Sequence, residues 1–291
     1  MNNLASLRDI KNRIEATRKT SQITKAMNMV SASKLKRVEK KHLAFIPIKT
    51  HIKNILEGVL SSNPELTHPL LEKREIKKTG YILVTSDRGL AGPYNANVIR
   101  YFETVILQRH KSNKEYIVGT IGYKAYSFCK RKKINMLNKE SINSRDDVRF
   151  IDFQAMSRAF IDLYLHREVD KIVLIYSHYI NTISQKTTEE ILLPITDLIA
   201  DKTKMVSEYI FEPSTEEVIN QLLPIYLENS LYGIILDAKT SEHASRMTAM
   251  KSATDNALDI IQKQNLIYNR ARQAQITLEL NDIIGGANAV K

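Results

Sequence analysis

The sequence predicts an α/β domain inserted between two long terminal helices that pair as an antiparallel coiled coil. Three observations carry this expectation. Apolar residues recur at helical spacing over both chain ends. The middle of the chain alternates short apolar, β-branched runs with helical stretches. Only nine Gly and seven Pro interrupt 291 residues, which favours long unbroken elements.

The first helix is expected over residues 3–56. Its apolar stripe runs through Leu4, Leu7, Ile10, Ile14, Ile23, Met27, Val30, Leu35 and Val38. Pro47 is expected to kink this helix or end it near Ile46. The middle of the stripe is thin and small, with Ser21, Thr24 and Ser31. A thin seam lets a partner helix approach closely.

Strands are expected at residues 81–85, 116–121, 171–176, 190–194 and 208–211, with helices near 95–109, 123–132 and 153–167 between them. Such alternation indicates βαβ units and a Rossmann-like, mainly parallel sheet.

The second long helix is expected over residues 215–284, capped by Ser214 or Thr215 with Glu216 and Glu217 in the first turn. Pro224 is expected to restart or kink it, and Gly285-Gly286 to stop it. A seven-residue register places one seam position at Met250, Ala257, Gln264, Ala271 and Leu278. Its companion falls at Ala253, Ile260, Ile267, Ala274 and Asn281. A helix of this length would reach roughly 100 Å, against ~30 Å for the middle domain. Most of it should therefore project and pair with the first helix. The expected division is 1–57 for the N-terminal coiled-coil helix, 75–213 for the α/β foot and 214–291 for the C-terminal coiled-coil helix.

The net charge of +11 is unevenly placed. Residues 1–53 hold 13 Lys+Arg against 3 Asp+Glu, and the remainder holds 30 against 29. The chain reads as a near-neutral body with one basic arm, which calls for an acidic partner. Nucleic acid is one such partner, but the arm lacks interleaved aromatics and its stripe is needed for helix pairing. Salt-sensitive DNA binding would mark that alternative, a basic coiled-coil nucleic-acid-binding protein. No segment approaches the ~20 apolar residues of a membrane span. The N-terminal segment lacks the apolar core of a secretory signal. The single Cys129 fits a reducing compartment.

Signs of chemistry are sparse. There is no GxGxxG and no GxxxxGK[ST]. The run Asp87-Arg88-Gly89-Leu90-Ala91-Gly92-Pro93 follows a strand and precedes a helix. Its glycines would let backbone N–H groups approach a phosphate, and a saturable ligand would mark a nucleotide-binding enzyme. The plainer reading is a tight turn needing positive φ. The seven His form no metal-ligand spacing, and no GxSxG elbow accompanies a Ser/His/Asp set. No catalytic residue, cofactor or metal is expected.

Three blocks resemble the gamma subunits of F-type ATP synthases. They are IKNRI at 10–14 with ITKAMNMVSASKL at 23–35, then SDRGLAGPYN at 86–95, and YNRARQAQITLELNDIIGGA at 268–287. The last fits the family pattern I-T-x-E-x-x-[DE]-x-x-x-G-A at every fixed position. The blocks reach both ends and the middle, so the resemblance covers the whole chain. Where the family commonly has Cys-Gly-Gly-Leu, this chain has Ala91-Gly92-Pro93-Tyr94. The regulatory dithiol segment of chloroplast members is absent.

The resemblance implies a central stalk rotating inside three alpha and three beta subunits, with delta and epsilon completing the assembly. The foot would stand with epsilon on the c-ring, so that ion flow is coupled to ATP synthesis in the beta subunits. It implies that Lys11, Arg13, Arg18 and Lys19 face the acidic lever of beta. It implies that Arg272 and Gln273, with Thr277, bind the empty beta subunit, with Lys25 and Met27 opposite in the same neck. Ile283, Ile284 and Val290 would form the bearing tip, and Asp87, Arg88, Gly89 and Gly92 the foot turn. Membrane contact would be peripheral, through the c-ring. The Ile-, Asn- and Lys-rich composition suggests an AT-rich bacterial genome, and for a bacterial member the resemblance implies a peripheral place on the cytoplasmic face of the plasma membrane.

Overall fold

The computed structural model describes residues 7–63, 65–196, 198, 212 and 214–289. The strand expected at 208–211 and the bearing residue Val290 lie outside these. Two compact units are formed. One comprises the chain up to Val30 and from Met247 onward; the other comprises Ser31–Arg246.

The larger unit holds a four-stranded sheet. Its strands are β1 (Thr79–Val84), β2 (Tyr116–Ile121), β3 (Lys171–Tyr179) and β4 (Gln185–Leu193), in the order β2-β1-β3-β4. β1 pairs in parallel with β2 and β3, and β4 adds antiparallel to β3. Apolar runs build the three parallel strands because both faces are covered. Tyr81, Leu83, Val173 and Ile175 point toward α2 (Tyr94–Arg109) and α3 (Tyr123–Arg131). Ile82, Val84, Ile172 and Leu174 point to the other face, into a core shared with α4 (Ile151–Leu165) and the long helices.

Phe160 of α4 lies directly on that face. A Cβ at Gly119 would come 2.5 Å from its ring and one at Gly80 2.9 Å, so bare backbone is required beneath it. The polar half of β4 escaped the sequence reading, which began that strand at Glu190. Gln185–Glu190 is a half-buried, polar edge, so no apolar run marks it. The hairpin before it closes through Asn181 Oδ1, which accepts from Ile183 N at 2.9 Å and Ser184 N at 2.7 Å.

The first long helix, α1, runs Leu7–Ser62 without a break at Pro47. The last, α5, runs Thr215–Ala289, through Pro224 and past Gly285-Gly286. Pro47 therefore does not end its helix, Pro224 does not restart one, and the glycine pair does not stop α5. A proline in a helix costs about 3 kcal/mol, and buried neighbours offset that here. Leu56 and Val59 follow Pro47, and Leu223 and Leu227 flank Pro224, all 0% exposed. The two glycines lower helix propensity by about 1 kcal/mol each, but each retains its N–H donor.

In the smaller unit α1 and α5 pair antiparallel. Thr24 Oγ1 meets Thr254 Oγ1 at 2.7 Å, and Asn28 donates to Met247 O at 2.7 Å. On α5 the seam follows Met247, Met250, Thr254, Ala257, Ile261, Gln264, Tyr268 and Ala271, which are buried or half-buried. The expected positions at Met250, Ala257, Gln264 and Ala271 hold. Leu278, further along that register, is 63% exposed. The companion lies one residue later than expected, because the alternating step after Met250 is four and not three. Ile260 and Ile267 are accordingly about half exposed. On α1 the seam runs Ile10, Ile14, Thr17, Ser21, Thr24, Asn28 and Ser31. Ile23 and Val30, expected in the stripe, are 60% and 51% exposed.

Ala257→Phe is therefore expected to overpack the seam and cost about 1–3 kcal/mol. Ala274→Phe, off the seam, should change stability by less than about 0.5 kcal/mol. Equal urea midpoints for the two variants would contradict this register.

Candidate functional site

In open α/β sheets, ligands bind outside the carboxyl ends of the strands, where the strand order reverses. Here that point lies between β1 and β3, and α5 occupies it. Asp237 Oδ1 accepts from Tyr179 N at 3.0 Å, and its Oδ2 lies 2.5 Å from His178 Nδ1. Ser241 and Ser177 share a hydrogen bond of 2.8 Å. Tyr94 donates its hydroxyl to Ala238 O at 3.1 Å, and Ser245 donates to Ala91 O at 2.7 Å.

The foot turn after β1 is built to hold this helix. Asn95 Oδ1 accepts from Ser86 N at 3.0 Å, and Ser86 Oγ donates to Arg88 O at 2.5 Å. Asp87 Oδ1 accepts from Tyr123 N at 3.0 Å and Ser144 N at 3.1 Å, which ties the turn to the start of α3. Gly92 has φ 54 and Leu90 φ 62. The positive φ expected of this turn thus falls on Gly92 and Leu90. The carbonyls of this turn receive side chains of α5, Ser245 on Ala91 O and Arg246 on Gly89 O.

Beside the turn lies a buried charge network that the sequence reading did not find. Lys239 donates to Ser144 O at 2.6 Å and to Glu242 Oε2 at 2.8 Å. Arg246 meets Glu242 Oε1 at 2.7 Å. Asp146 lies 3.8 Å from Lys239 and accepts from Lys34 at 2.6 Å. Burial opposes ionisation of Glu242, but Lys239 and Arg246 outweigh it and hold its carboxyl below the ordinary value. His243 is 1% exposed, and neither ring nitrogen has a hydrogen-bond partner among the described residues. Its Nε2 lies 3.5 Å from Asp146 Oδ1 without hydrogen-bond geometry, a contact that becomes an ion pair only if the ring is protonated. Burial pushes its pKa down to about 4, against the pull of Glu242. The segment reads as a polar helix in sequence, and nothing local reveals that β3, α2, the foot turn and the loop at Ser144–Asp146 enclose it.

The other residues singled out in the sequence lie on the two-helix unit. Lys11, Arg13, Arg18, Lys19 and Lys25 are exposed along α1. Arg272 and Gln273 are exposed on α5, with Thr277 Oγ1 donating to Gln273 O at 2.9 Å. Ile283 and Ile284 are 68% and 56% exposed. The pairing of Thr24 with Thr254 corrects the expected neck. Lys25 and Met27 lie level with residues near Thr254, about 28 Å along the helix from Arg272. Residues at the very start of α1 come level with Arg272 instead. Cys129 is buried, and burial pushes its thiol up to about 12, so it is no nucleophile.

The fold and site together define a class: an α/β domain whose ligand crevice is filled by its own C-terminal helix, and whose terminal helices pair antiparallel. A profile of the ATP synthase family matches residues 6–290, and the chain belongs to that family.

Among solved structures, it is similar to a chain of the Tetrahymena thermophila mitochondrial ATP synthase central stalk/c-ring. The identity is 27%, over 79% of this chain and 99% of that one, with a TM-score of 0.61. It is similar to a chain of the Euglena gracilis mitochondrial ATP synthase OSCP/F1/c-ring assembly at 18% identity. That match covers 98% of this chain and 94% of that one, with a TM-score of 0.65. A chain of the Euglena gracilis rotor matches at 16% identity, over 93% and 99%, with a TM-score of 0.61. The Euglena likenesses show a shared fold.

Proposed function

We propose that this chain is the central stalk (gamma) subunit of an F-type ATP synthase. Its two-helix unit rotates within an alpha3beta3 ring and couples ion flow through the c-ring to ATP synthesis in the beta subunits. The observation that carries the reading is the row of exposed apolar side chains on α5 beyond Ala271. There Ile276, Leu278, Leu280, Ile283 and Ile284 are 48% to 68% exposed. Five large apolar side chains, each about half exposed or more, call for an enclosing partner. An apolar sleeve of alpha and beta supplies one, and it resists rotation less than hydrogen bonds would. Lys11, Arg13, Arg18 and Lys19 supply the positive face for the acidic lever. Charge attraction acts at a distance and tolerates a changing angle.

On this reading the chain performs no chemistry itself. The filled crevice at the carboxyl ends of β1 and β3 supports that. Rotation shifts the nucleotide affinities of beta, which is coupling between a mechanical coordinate and binding. Epsilon and the c-ring are the partners of the α/β domain. A bacterial setting, peripheral on the cytoplasmic face of the plasma membrane, is the finer part of the reading. Its bacterial part rests on composition and its location on the family, although the solved relatives named above are mitochondrial. The nucleic-acid alternative receives no support from the family or from the fold matches.

Co-purification with alpha and beta at one copy per three of each is the direct test. Recovery of the chain without them would overturn the proposal. Arg272→Ala with Gln273→Ala is expected to lower ATP synthesis about tenfold or more, the effect of losing two polar contacts to beta. The isolated chain should keep its melting temperature. Unchanged coupling would remove those residues from the beta contact.

A further inference from the structure

The α/β unit is strongly polarised in charge, although residues 54–291 as a whole are nearly neutral. β1, β2 and β3 are parallel, so their amino ends share one pole. α2 ends there, and α3 ends there too, because the segment after it returns alongside β2 through Val118↔Met136 and Ile121↔Ile142. The four segments at this pole are 72–78, 109–115, 130–133 and 166–171. They hold 13 Lys+Arg against 5 Asp+Glu.

Several of these acids are engaged in the fold. Asp170 Oδ2 accepts from Lys77 N and Lys78 N, each at 2.9 Å, and Glu115 accepts from Lys111 N at 2.9 Å. Most of the cations are not. Lys111, Lys114, Arg131, Lys133 and Arg167 are exposed and make no salt bridge among the described residues, and exposed Lys130 makes only a cation–π contact with Tyr126 at 5.7 Å. Exposed apolar side chains stand among them: Leu107 at 82%, Ile76 at 56% and Leu165 at 42%. A cleft of about 250 Å³ opens at the same pole, lined by Ile76, Lys77, Arg109 and Lys171 among others.

Two of the cations occupy costly positions. Lys133 (φ 54) and Arg167 (φ 60) follow the ends of α3 and α4 in the left-handed conformation, where glycine is the unstrained residue. Cations near helix carboxyl ends are favourable, which accounts for Arg109, Lys130 and Arg131. It does not account for bearing left-handed strain to keep two more.

We propose that this pole is a docking surface for an anionic phospholipid bilayer. The cations would meet the headgroup phosphates, and Leu107, Ile76 and Leu165 would enter the interface. Scattered cations interspersed with exposed aliphatics match a lipid surface. An acidic protein partner would be matched by ordered ion pairs. The inference uses the central-stalk reading only to bring this domain near a membrane, and its test is independent of alpha and beta.

The experiment is flotation of the purified full chain with phosphatidylcholine vesicles, with and without phosphatidylglycerol. Binding is expected only to the anionic vesicles, and it should fall with added salt. The variant K130Q/R131Q/K132Q/K133Q should bind about 1000-fold more weakly, and L107S about tenfold more weakly, both with unchanged circular dichroism. Lys133→Gly separates a structural from a docking role: it should raise the melting temperature while weakening vesicle binding. Equal binding to neutral vesicles, or undiminished binding by the quadruple variant, would overturn the proposal. So would salt-sensitive binding to polyglutamate with none to vesicles, which would assign the surface to an acidic protein. The quadruple variant should still co-purify with alpha and beta. Loss of that assembly in the wild-type chain would sink the stalk reading and leave this one standing.

Discussion

Lys239→Met is expected to destabilise the 31–246 unit by about 3–5 kcal/mol, the usual cost of removing one partner from a buried ion pair. Lys239 is 3% exposed and bridges α5 to the loop at Ser144 and Asp146. Its removal leaves Ser144 O without that donor and Glu242 with Arg246 alone. The double variant Lys239→Met with Glu242→Gln should lose less than the sum of the single changes. Strict additivity in urea unfolding would show that the two residues do not act as a pair.

The same network makes the unit sensitive to acid. His243 has a folded pKa near 4 against an ordinary value of 6.5. Its contribution is complete above pH 6.5. It is lost as pH falls toward 4, because only the unfolded chain takes up the proton in that window. The loss amounts to about 3 kcal/mol. Glu242 and Asp146 are held below their ordinary values despite burial, by Lys239 and Arg246 for the first and by Lys34, Lys239 and His243 for the second. Their contributions fade at still lower pH, in the same direction. His243→Gln should flatten the stability profile between pH 6.5 and 4. A slope unaltered by that change would place the acid sensitivity elsewhere.

Gly122→Ala is expected to cost more than about 4 kcal/mol and to prevent stable folding of the α/β domain. Gly122 has φ 89, and a Cβ there would fall on the backbone carbonyl of Thr85, with Thr85 Oγ1 only 2.9 Å away. Backbone at the end of β1 cannot yield, because Thr85 N bonds to Ile121 O at 2.9 Å and Ala125 N bonds to Thr85 Oγ1 at 2.8 Å. Gly89→Ala is the control. Nothing lies within 4 Å of its would-be Cβ, so its urea midpoint should match wild type. Comparable losses in the two variants would contradict this account of the turn.

These two glycines show where sequence reasoning reached and where it stopped. Gly89 sits in an identifiable motif and attracted a functional reading, yet it is the tolerant position. Gly122 sits in no motif. Its need for a bare α-carbon arises because the end of β1 passes over it, 37 residues earlier in the chain. A separation of that kind leaves no local pattern.

What the sequence by itself determined is the element order, the parallel core of the sheet, the two terminal helices and their antiparallel pairing. Each follows from periodicity, which is local chemistry repeated along the chain. Tertiary structure alone decided the rest. Packing carried the long helices through Pro47 and Pro224. Helix contact set the seam at Thr254 and Ile261, because a step of three or four satisfies helical spacing equally well until a partner selects one. Enclosure by distant segments turned an ordinary polar stretch, 237–246, into a buried charge network. The parallel strand order gathered four separate basic segments at one pole. Burial and juxtaposition depend on residues distant in sequence, so no local pattern could announce them.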